Sequence, residues 1–184
     1  RCQRTLARSV NNFNRLPIVK AHGFAVTSLD LMLRYPWYSV DSTTWVKAAG
    51  MGVVPIPLYK NNKWVYDRKP VLINFSISSK KNDRHFDTIS YNQKEIILKY
   101  LQKQGFILGQ SEIKKVEINY KLKDDERWVD ERKQEVEIFL QRGIRNDYQQ
   151  RRSLYIKYFL DVKNNIPSYP RPFIIQKKGF KILI

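Results

Sequence analysis

The chain has 184 residues, of which 42% are hydrophobic and 13% aromatic, a composition that excludes a disordered polymer and suffices for one ordinary domain with a core. Lysine and arginine number 34 against 17 acidic residues, so the formal net charge is +17. This basic excess favours a polyanionic partner, nucleic acid first, with plain solubility as the alternative. The single cysteine, Cys2, excludes an internal disulfide and a cysteine-rich zinc site.

The same composition bears on location. One cysteine and the lack of a signal-peptide pattern suit a reducing cytoplasm, and no apolar run approaches the length of a membrane span. We therefore expect a cytoplasmic protein without a membrane partner. Because the sequence starts with Arg1 instead of Met, we also expect a processed chain or the end part of a longer one.

Residues 1–50 alternate between helical and strand patterns. The predicted elements, in chain order, are a helix over 3–14, a strand over 18–24, a helix over 29–34, a strand over 37–42 and a helix over 43–50. Thr27 and Asp30 have the spacing of a capping box for the second helix, and Pro36 ends that helix. Strands that alternate with helices through short loops are typical of a parallel α/β unit, which needs further strands to be stable.

Residues 53–78 change to a β-pattern. Two apolar segments on either side of Asn61 and Asn62 predict a β-hairpin, because asparagine accepts the left-handed backbone that a tight hairpin turn requires. The prolines in the first of these segments place it at the edge of a sheet. A further strand is predicted over 71–78, where apolar and polar residues alternate.

The remaining chain is predicted to be mostly helical. Ser90 is the expected N-cap of a helix over 90–105, and an alternating segment over 116–122 predicts one more strand. Residues 124–164 have helical apolar spacing almost throughout, with a break at Gly143. The patterns divide the chain into three regions: α/β units in 1–52, the hairpin, strand and helix in 53–123, and a basic helical tail in 124–184.

Asp41 ends the second predicted strand and precedes a helix, which makes it the first candidate for chemistry. Reactive side chains in parallel α/β folds lie at the carboxyl ends of strands, and His22 and Gly23 end the preceding strand. Aromatic residues nearby offer flat surfaces for a base, or fill the core: Tyr35, Trp37, Tyr38 and Trp45. The alternatives are a helix cap for Asp41 and a structural role for His22.

The segment AHGFAVTSLDLMLRYPWYSVDSTTW, residues 21–45, resembles the late-barrel region of the tRNA-guanine transglycosylase (queuine tRNA-ribosyltransferase) superfamily. It is most similar to the phage and bacterial branch that acts on 7-deazaguanines in DNA or tRNA. The matching parts are the glycine-bearing strand end His22-Gly23-Phe24, a short helix, and the strand end Ser39-Val40-Asp41-Ser42. The resemblance implies an α/β chain: the last βα units of a (β/α)8 barrel, then a β-hairpin and a mostly helical C-terminal extension.

A base-exchange enzyme is what this resemblance implies. Asp41 matches the family's nucleophile, whose carboxylate attacks the sugar and releases guanine before a 7-deazaguanine base displaces the carboxylate. The substrates are nucleic acid, either tRNA or DNA, and the 7-deazaguanine base. The residues implied to bind the substrate around Asp41 are His22, Gly23, Phe24, Ser42 and Thr43.

Two parts of the family pattern are missing from this sequence. The zinc site of three cysteines and a histidine is absent, so we predict no metal and no cofactor. The second carboxylate, which comes from an early barrel strand, is absent as well. We therefore expect a missing N-terminal barrel portion or a partner chain to supply it, in the cytoplasm of a host cell if the gene is viral.

The best candidates for contact with nucleic acid are four arginines, with Tyr148 and Tyr155 among them as possible stacking surfaces: Arg142, Arg145, Arg151 and Arg152. Two other functions remain open at this point. One is a non-catalytic, basic nucleic-acid-binding protein in which Asp41 only caps a helix. The other is a structural or assembly subunit of a phage.

Overall fold

A computed structural model describes residue 14 and residues 16–78 and 83–173. The strands are β1 (His22–Gly23), β2 (Ser39–Val40), β3 (Val53–Ile56), β4 (Leu58–Lys60), β5 (Lys63–Val65), β6 (Val71–Asn74), β7 (Gln110–Lys115), β8 (Glu126–Asp130) and β9 (Glu135–Gln141). The helices are α1 (Leu29–Arg34), α2 (Thr44–Gly50), α3 (Tyr91–Lys103) and α4 (Tyr148–Asn165), with a 3-10 turn over Glu131–Lys133. The predicted helix over 3–14 lies outside the described residues, apart from Asn14.

The first strands form the parallel unit that the alternating pattern predicts. β1 and β2 run parallel, with His22 opposite Ser39 and Gly23 opposite Val40, and α1 connects them. Both strands have two residues and are shorter than predicted. Among the described residues these strands pair with each other and with no third strand, so the wider barrel stays a prediction.

The start of α1 differs from the prediction. The capping box at Thr27 is wrong, because the N-cap of α1 is Ser28 and its side chain makes no capping hydrogen bond. Asp30 lies in the first turn of α1, where the positive end of the helix dipole stabilises a carboxylate. Its carboxylate also forms an ion pair with the Lys69 ammonium at 2.8 Å.

The hairpin is confirmed. β4 and β5 are antiparallel, and Asn61 and Asn62 between them have φ angles of 47° and 59°, the left-handed backbone of a tight turn. β3 pairs with β6 in a separate antiparallel sheet. The helix predicted over 90–105 is also confirmed as α3, and Ser90 caps it by accepting from the Gln93 backbone N–H.

Residues 126–141 form strands, so the helix predicted over the first part of 124–164 is wrong. β7, β9 and β8 make a three-stranded antiparallel sheet with β9 in the centre. Val136, Ile138 and Leu140 alternate with a period of two, which fits a strand, and Gln134 turns the chain with a φ of 56°. The segment predicted as a strand over 116–122 is irregular, and the strand precedes it as β7.

The second helix predicted within residues 124–164, after the break at Gly143, is confirmed as α4, which packs against α2 and β3. One apolar core includes residues from all three regions of the chain, with Ala49, Phe75 and Leu154 fully buried in it. The C-terminal turns of α4 bury Tyr158 and Val162 against Leu29 of α1 in a second, smaller cluster. The long helix therefore connects the parallel unit to the rest of the protein.

Gly143 matters because two backbone segments touch there. A Cβ on Gly143 would lie 2.4 Å from the Gly109 amide nitrogen, and Gly109 itself has a φ of 84°. The Ile144 N–H donates to the Ile107 carbonyl at 3.0 Å beside this contact. Glycine at 143 thus permits the close approach that places the start of α4 against the loop before β7.

Replacing Gly143 with alanine is expected to destabilise the protein by about 3 kcal/mol, since backbone atoms cannot move aside as a flexible side chain can. Gly50→Ala is the matched control, because a Cβ there meets no atom within 4 Å at the end of α2. Urea unfolding of both variants measures the difference. Equal free energies of unfolding would contradict the close approach.

Candidate functional site

A cleft of about 550 Å³ lies beside the carboxyl end of β2. Its size is within the range of roughly 300–1,000 Å³ that small-ligand sites occupy. Its walls consist of three rings from the parallel unit, the last turns of α4 and the residue after α4: Trp37, Tyr38, Trp45, Phe159, Val162, Lys163 and Ile166. Asp41 and Ser42 line the side where β2 ends. The cleft therefore combines flat apolar surfaces with one carboxylate and one exposed cation.

Asp41 connects the two parallel strand ends. Its backbone N–H donates to the Gly23 carbonyl at 3.1 Å, and its Oδ1 accepts from the Ala25 N–H at 3.0 Å. Ala25 has a φ of 57°, a backbone conformation that costs about 1 kcal/mol for a residue with a Cβ. The carboxylate of Asp41 thus helps to hold the loop that follows β1.

His22 lies beside the second oxygen of Asp41. Its Nε2 is 3.6 Å from Asp41 Oδ2, and its Nδ1 is 2.9 Å from the Ser39 hydroxyl. The bond to Ser39, which is the parallel-strand partner of His22, orients the ring. Both side chains of the His22–Asp41 pair are about half exposed, so solvent and a ligand have access to them.

The helix-cap alternative for Asp41 is wrong. The N-cap of α2 is Thr43, and it makes no side-chain capping bond. The Ser42 hydroxyl accepts from the Thr44 N–H at 3.2 Å and so takes the place that a capping aspartate would hold. The structural role of Asp41 is instead the bond to Ala25 across the strand ends.

The structure separates the predicted site residues, which are the nucleophile Asp41 and the five substrate-binding residues, into two groups. Asp41 and Ser42 line the cleft, whereas the other predicted residues do not: His22, Gly23, Phe24 and Thr43. Phe24 is 83% exposed on the surface. A Cβ at Gly23 would lie 3.1 Å from the Trp37 ring, so tight packing against that ring explains the glycine.

Sequence reasoning missed the side of the cleft that α4 and the following segment contribute. Arg171 is buried, and its guanidinium donates to the Leu33 carbonyl at 3.0 Å, the Tyr35 carbonyl at 3.1 Å and the Met32 carbonyl. These carbonyls belong to the C-terminal end of α1, and a cation stabilises that end of a helix. Burial lowers the pKa of Arg171. Only the tertiary fold brings this residue to the cleft, more than 130 positions from its partners.

The four arginines predicted to bind nucleic acid have different partners in the structure. Arg145 bonds to the Asp87 carboxylate, and Arg152 lies over the Tyr148 ring at 5.0 Å. Arg142 donates to the Asp124 carbonyl at 3.1 Å and lies over the ring of Phe139.

Arg151 is buried, and its side chain belongs to the core. Its Nε donates to the Ala49 carbonyl at 2.6 Å, and its Nη1 donates to the Ile144 and Arg145 carbonyls at 2.8 and 3.2 Å. Burial, with a smaller contribution from the nearby Arg127 charge, lowers the pKa of Arg151 to about 10, so it remains protonated at neutral pH. With 1% of its surface exposed, Arg151 is not available for the predicted contact with nucleic acid.

Arg151→Leu is expected to lower the free energy of unfolding by about 3 kcal/mol, because three backbone carbonyls lose their donor in the core. Arg152→Leu, at the next position of α4, should change it by about 0.5 kcal/mol or less, as is usual for a partly exposed side chain. Urea denaturation followed by circular dichroism compares the two variants. A larger effect at Arg152 would contradict the buried role of Arg151.

The positive charge is unevenly distributed. Residues 110–141, which contain the three-stranded sheet, have 7 basic and 9 acidic residues. The rest of the chain has 27 basic and 8 acidic residues, a net charge of +19. The basic excess that favours a polyanionic partner therefore comes from the sequence outside residues 110–141.

Comparison with protein-family models, with curated proteins and with solved structures finds no match to the chain. The resemblance to the transglycosylase superfamily thus stays a prediction. Among the described residues, no helix has the length and hydropathy that crossing a bilayer requires. In the same part of the chain, no group of three or more His, Cys, Asp or Glu side chains is placed to hold a metal ion.

Proposed function

We propose that this chain supplies the nucleophile and the base-binding cleft of a base-exchange transglycosylase, which replaces guanine in nucleic acid by a 7-deazaguanine. One observation supports this most strongly. The half-exposed carboxylate of Asp41 lies at the carboxyl end of a parallel strand and lines a cleft with Trp37 and Trp45. Aromatic rings of this kind stack on planar bases, and a base bound in the cleft would have its sugar near the carboxylate.

The two oxygens of Asp41 have different roles in this proposal. Oδ1 accepts the Ala25 N–H, which fixes the carboxylate, and Oδ2 is left to attack C1′ of the nucleoside. The C1′–N9 bond breaks, its electron pair leaves with guanine, and a general acid protonates the guanine. The incoming 7-deazaguanine then attacks C1′ and loses a proton, and Asp41 leaves as a free carboxylate.

The general acid is expected to be the second carboxylate, which the missing N-terminal barrel portion or a partner chain contributes. Lys163 at the rim of the cleft is the candidate contact for a phosphate of the substrate, because Arg171 is already bonded to three carbonyls. Neither a metal nor a cofactor enters this chemistry. We place the reaction in the cytoplasm, that of the host if the gene is viral.

A second candidate function is a non-catalytic nucleic-acid-binding protein. The observation in its favour is the net charge of +19 outside residues 110–141, which suffices for binding to any polyanion without chemistry. In that case Asp41 only holds the Ala25 loop. The two functions therefore predict different effects of removing the Asp41 charge. The transglycosylase loses its reaction with the substrate, whereas the non-catalytic protein still binds nucleic acid.

Asp41→Asn is expected to abolish covalent chemistry and to leave the fold intact. The asparagine side-chain oxygen still accepts from the Ala25 N–H, so the free energy of unfolding should change by only about 0.5 kcal/mol. The assay mixes the chain, joined to the barrel portion with the second carboxylate, with a guanine-containing oligonucleotide and omits the 7-deazaguanine base, which would release the adduct. A denaturing gel and peptide mass spectrometry detect the adduct on Asp41.

Asp30→Asn is the matched control, since Asp30 is the other carboxylate of residues 1–60 and does not line the 550 Å³ cleft. Adduct formation in wild type and in Asp30→Asn, with none in Asp41→Asn, is the predicted result. An adduct that persists in Asp41→Asn, or none in wild type while the oligonucleotide still binds, contradicts the transglycosylase and favours the non-catalytic binder.

A further inference from the structure

A second cleft, of about 260 Å³, adjoins the first one. Thr27, Trp45 and Phe159 line both clefts, so these three side chains form a common wall. The far side of the second cleft consists of Pro55 and Leu72 from the β3–β6 sheet, with Lys69 at its rim. Two neighbouring apolar cavities therefore share one aromatic partition.

We propose that the two clefts together bind two successive bases of a single nucleic-acid strand, one on each side of Trp45 and Phe159. This inference rests on the proposed function, because it assigns the first cleft to the base that is exchanged. Aromatic side chains accept any base by stacking, so the second cleft selects for an unpaired neighbour and not for a particular sequence. A base inside a duplex must first be unpaired and unstacked before it enters either cleft, so the two clefts favour a single strand.

The position of Trp45 supports this arrangement. It lies near the start of α2, and its ring packs against Tyr155 of α4 with a centroid distance of 6.1 Å and an angle of 42° between the planes. Because helices on both sides hold it, the partition is already formed before any ligand arrives. Such a preformed surface reduces the entropy lost on binding.

Charge identifies the occupant as a polyanion. Each cleft has a lysine among its lining residues, Lys163 in the first and Lys69 in the second. The ion pair between Lys69 and Asp30, at 2.8 Å, joins two exposed side chains and is therefore weak enough to exchange for a phosphate. The net charge of +19 outside residues 110–141 has the same sign. A neutral peptide has no negative charge with which these lysines could pair.

Isothermal titration calorimetry with guanosine 5′-monophosphate and the dinucleotide GpU tests the inference on the full chain at low salt. GpU is expected to bind roughly tenfold more tightly, about the gain that one further stacked base provides. Leu72→Trp fills the second cleft and should reduce the affinity for GpU to that of the mononucleotide. The same variant should leave binding of the mononucleotide unchanged.

Val71→Trp is the matched control, because Val71 precedes Leu72 in β6, is equally exposed at 43%, and lines neither cleft. Equal affinities of wild type for the two ligands, or equal losses in the two tryptophan variants, would overturn the two-cleft inference. So would an absence of binding by either ligand. Failure of the proposed chemistry has a different signature: the Asp41 adduct is missing, while GpU binding still depends on Leu72.

Discussion

The buried guanidinium of Arg151 is the interaction on which the rest of the structure depends. It joins the end of α2, through the Ala49 carbonyl, to the turn before α4, through the Ile144 carbonyl. A charge in the core is tolerated only when hydrogen bonds satisfy it, and here three carbonyls do so. The bond fixes α4 against the parallel unit, and the later turns of α4 then form one wall of the cleft.

The far end of α4 is fixed by polar contacts of a different kind. Asp161 Oδ2 accepts from the Tyr66 hydroxyl at 2.6 Å and from Gln104 Nε2 at 2.7 Å, which joins α4 to the hairpin region and to the end of α3. Burial and this bond to Asp161 raise the pKa of Tyr66, so its hydroxyl remains a donor. Arg171 then covers the end of α1. The cleft beside Asp41 is thus bounded by segments that are distant in sequence and held together by buried polar groups.

Local chemistry explains which elements could be predicted from the sequence. Ser90 and the Asn61-Asn62 turn depend on the backbone of their own short segments, so the local sequence pattern is sufficient to predict them. β9 was missed because Val136, Phe139 and Leu140 also have the spacing of a helical stripe, and only the tertiary fold shows that Glu137 between them is buried in an ion pair with Arg127. Arg151 was misassigned for a related reason, since sequence does not distinguish a buried arginine from a surface one. Asp41 follows the end of β2 as the sequence predicts, but its bond to the left-handed Ala25 depends on the parallel register.

Photolabelling with 8-azidoguanosine 5′-monophosphate, followed by peptide mass spectrometry, tests most directly the claim that the cleft beside Asp41 receives a guanine base. The label is expected to attach to peptides that contain Trp37, Trp45 or Phe159, and excess unlabelled guanosine monophosphate is expected to remove it. Label that accumulates instead on residues 110–141, or that spreads over basic peptides and persists in the presence of competitor, would contradict the account.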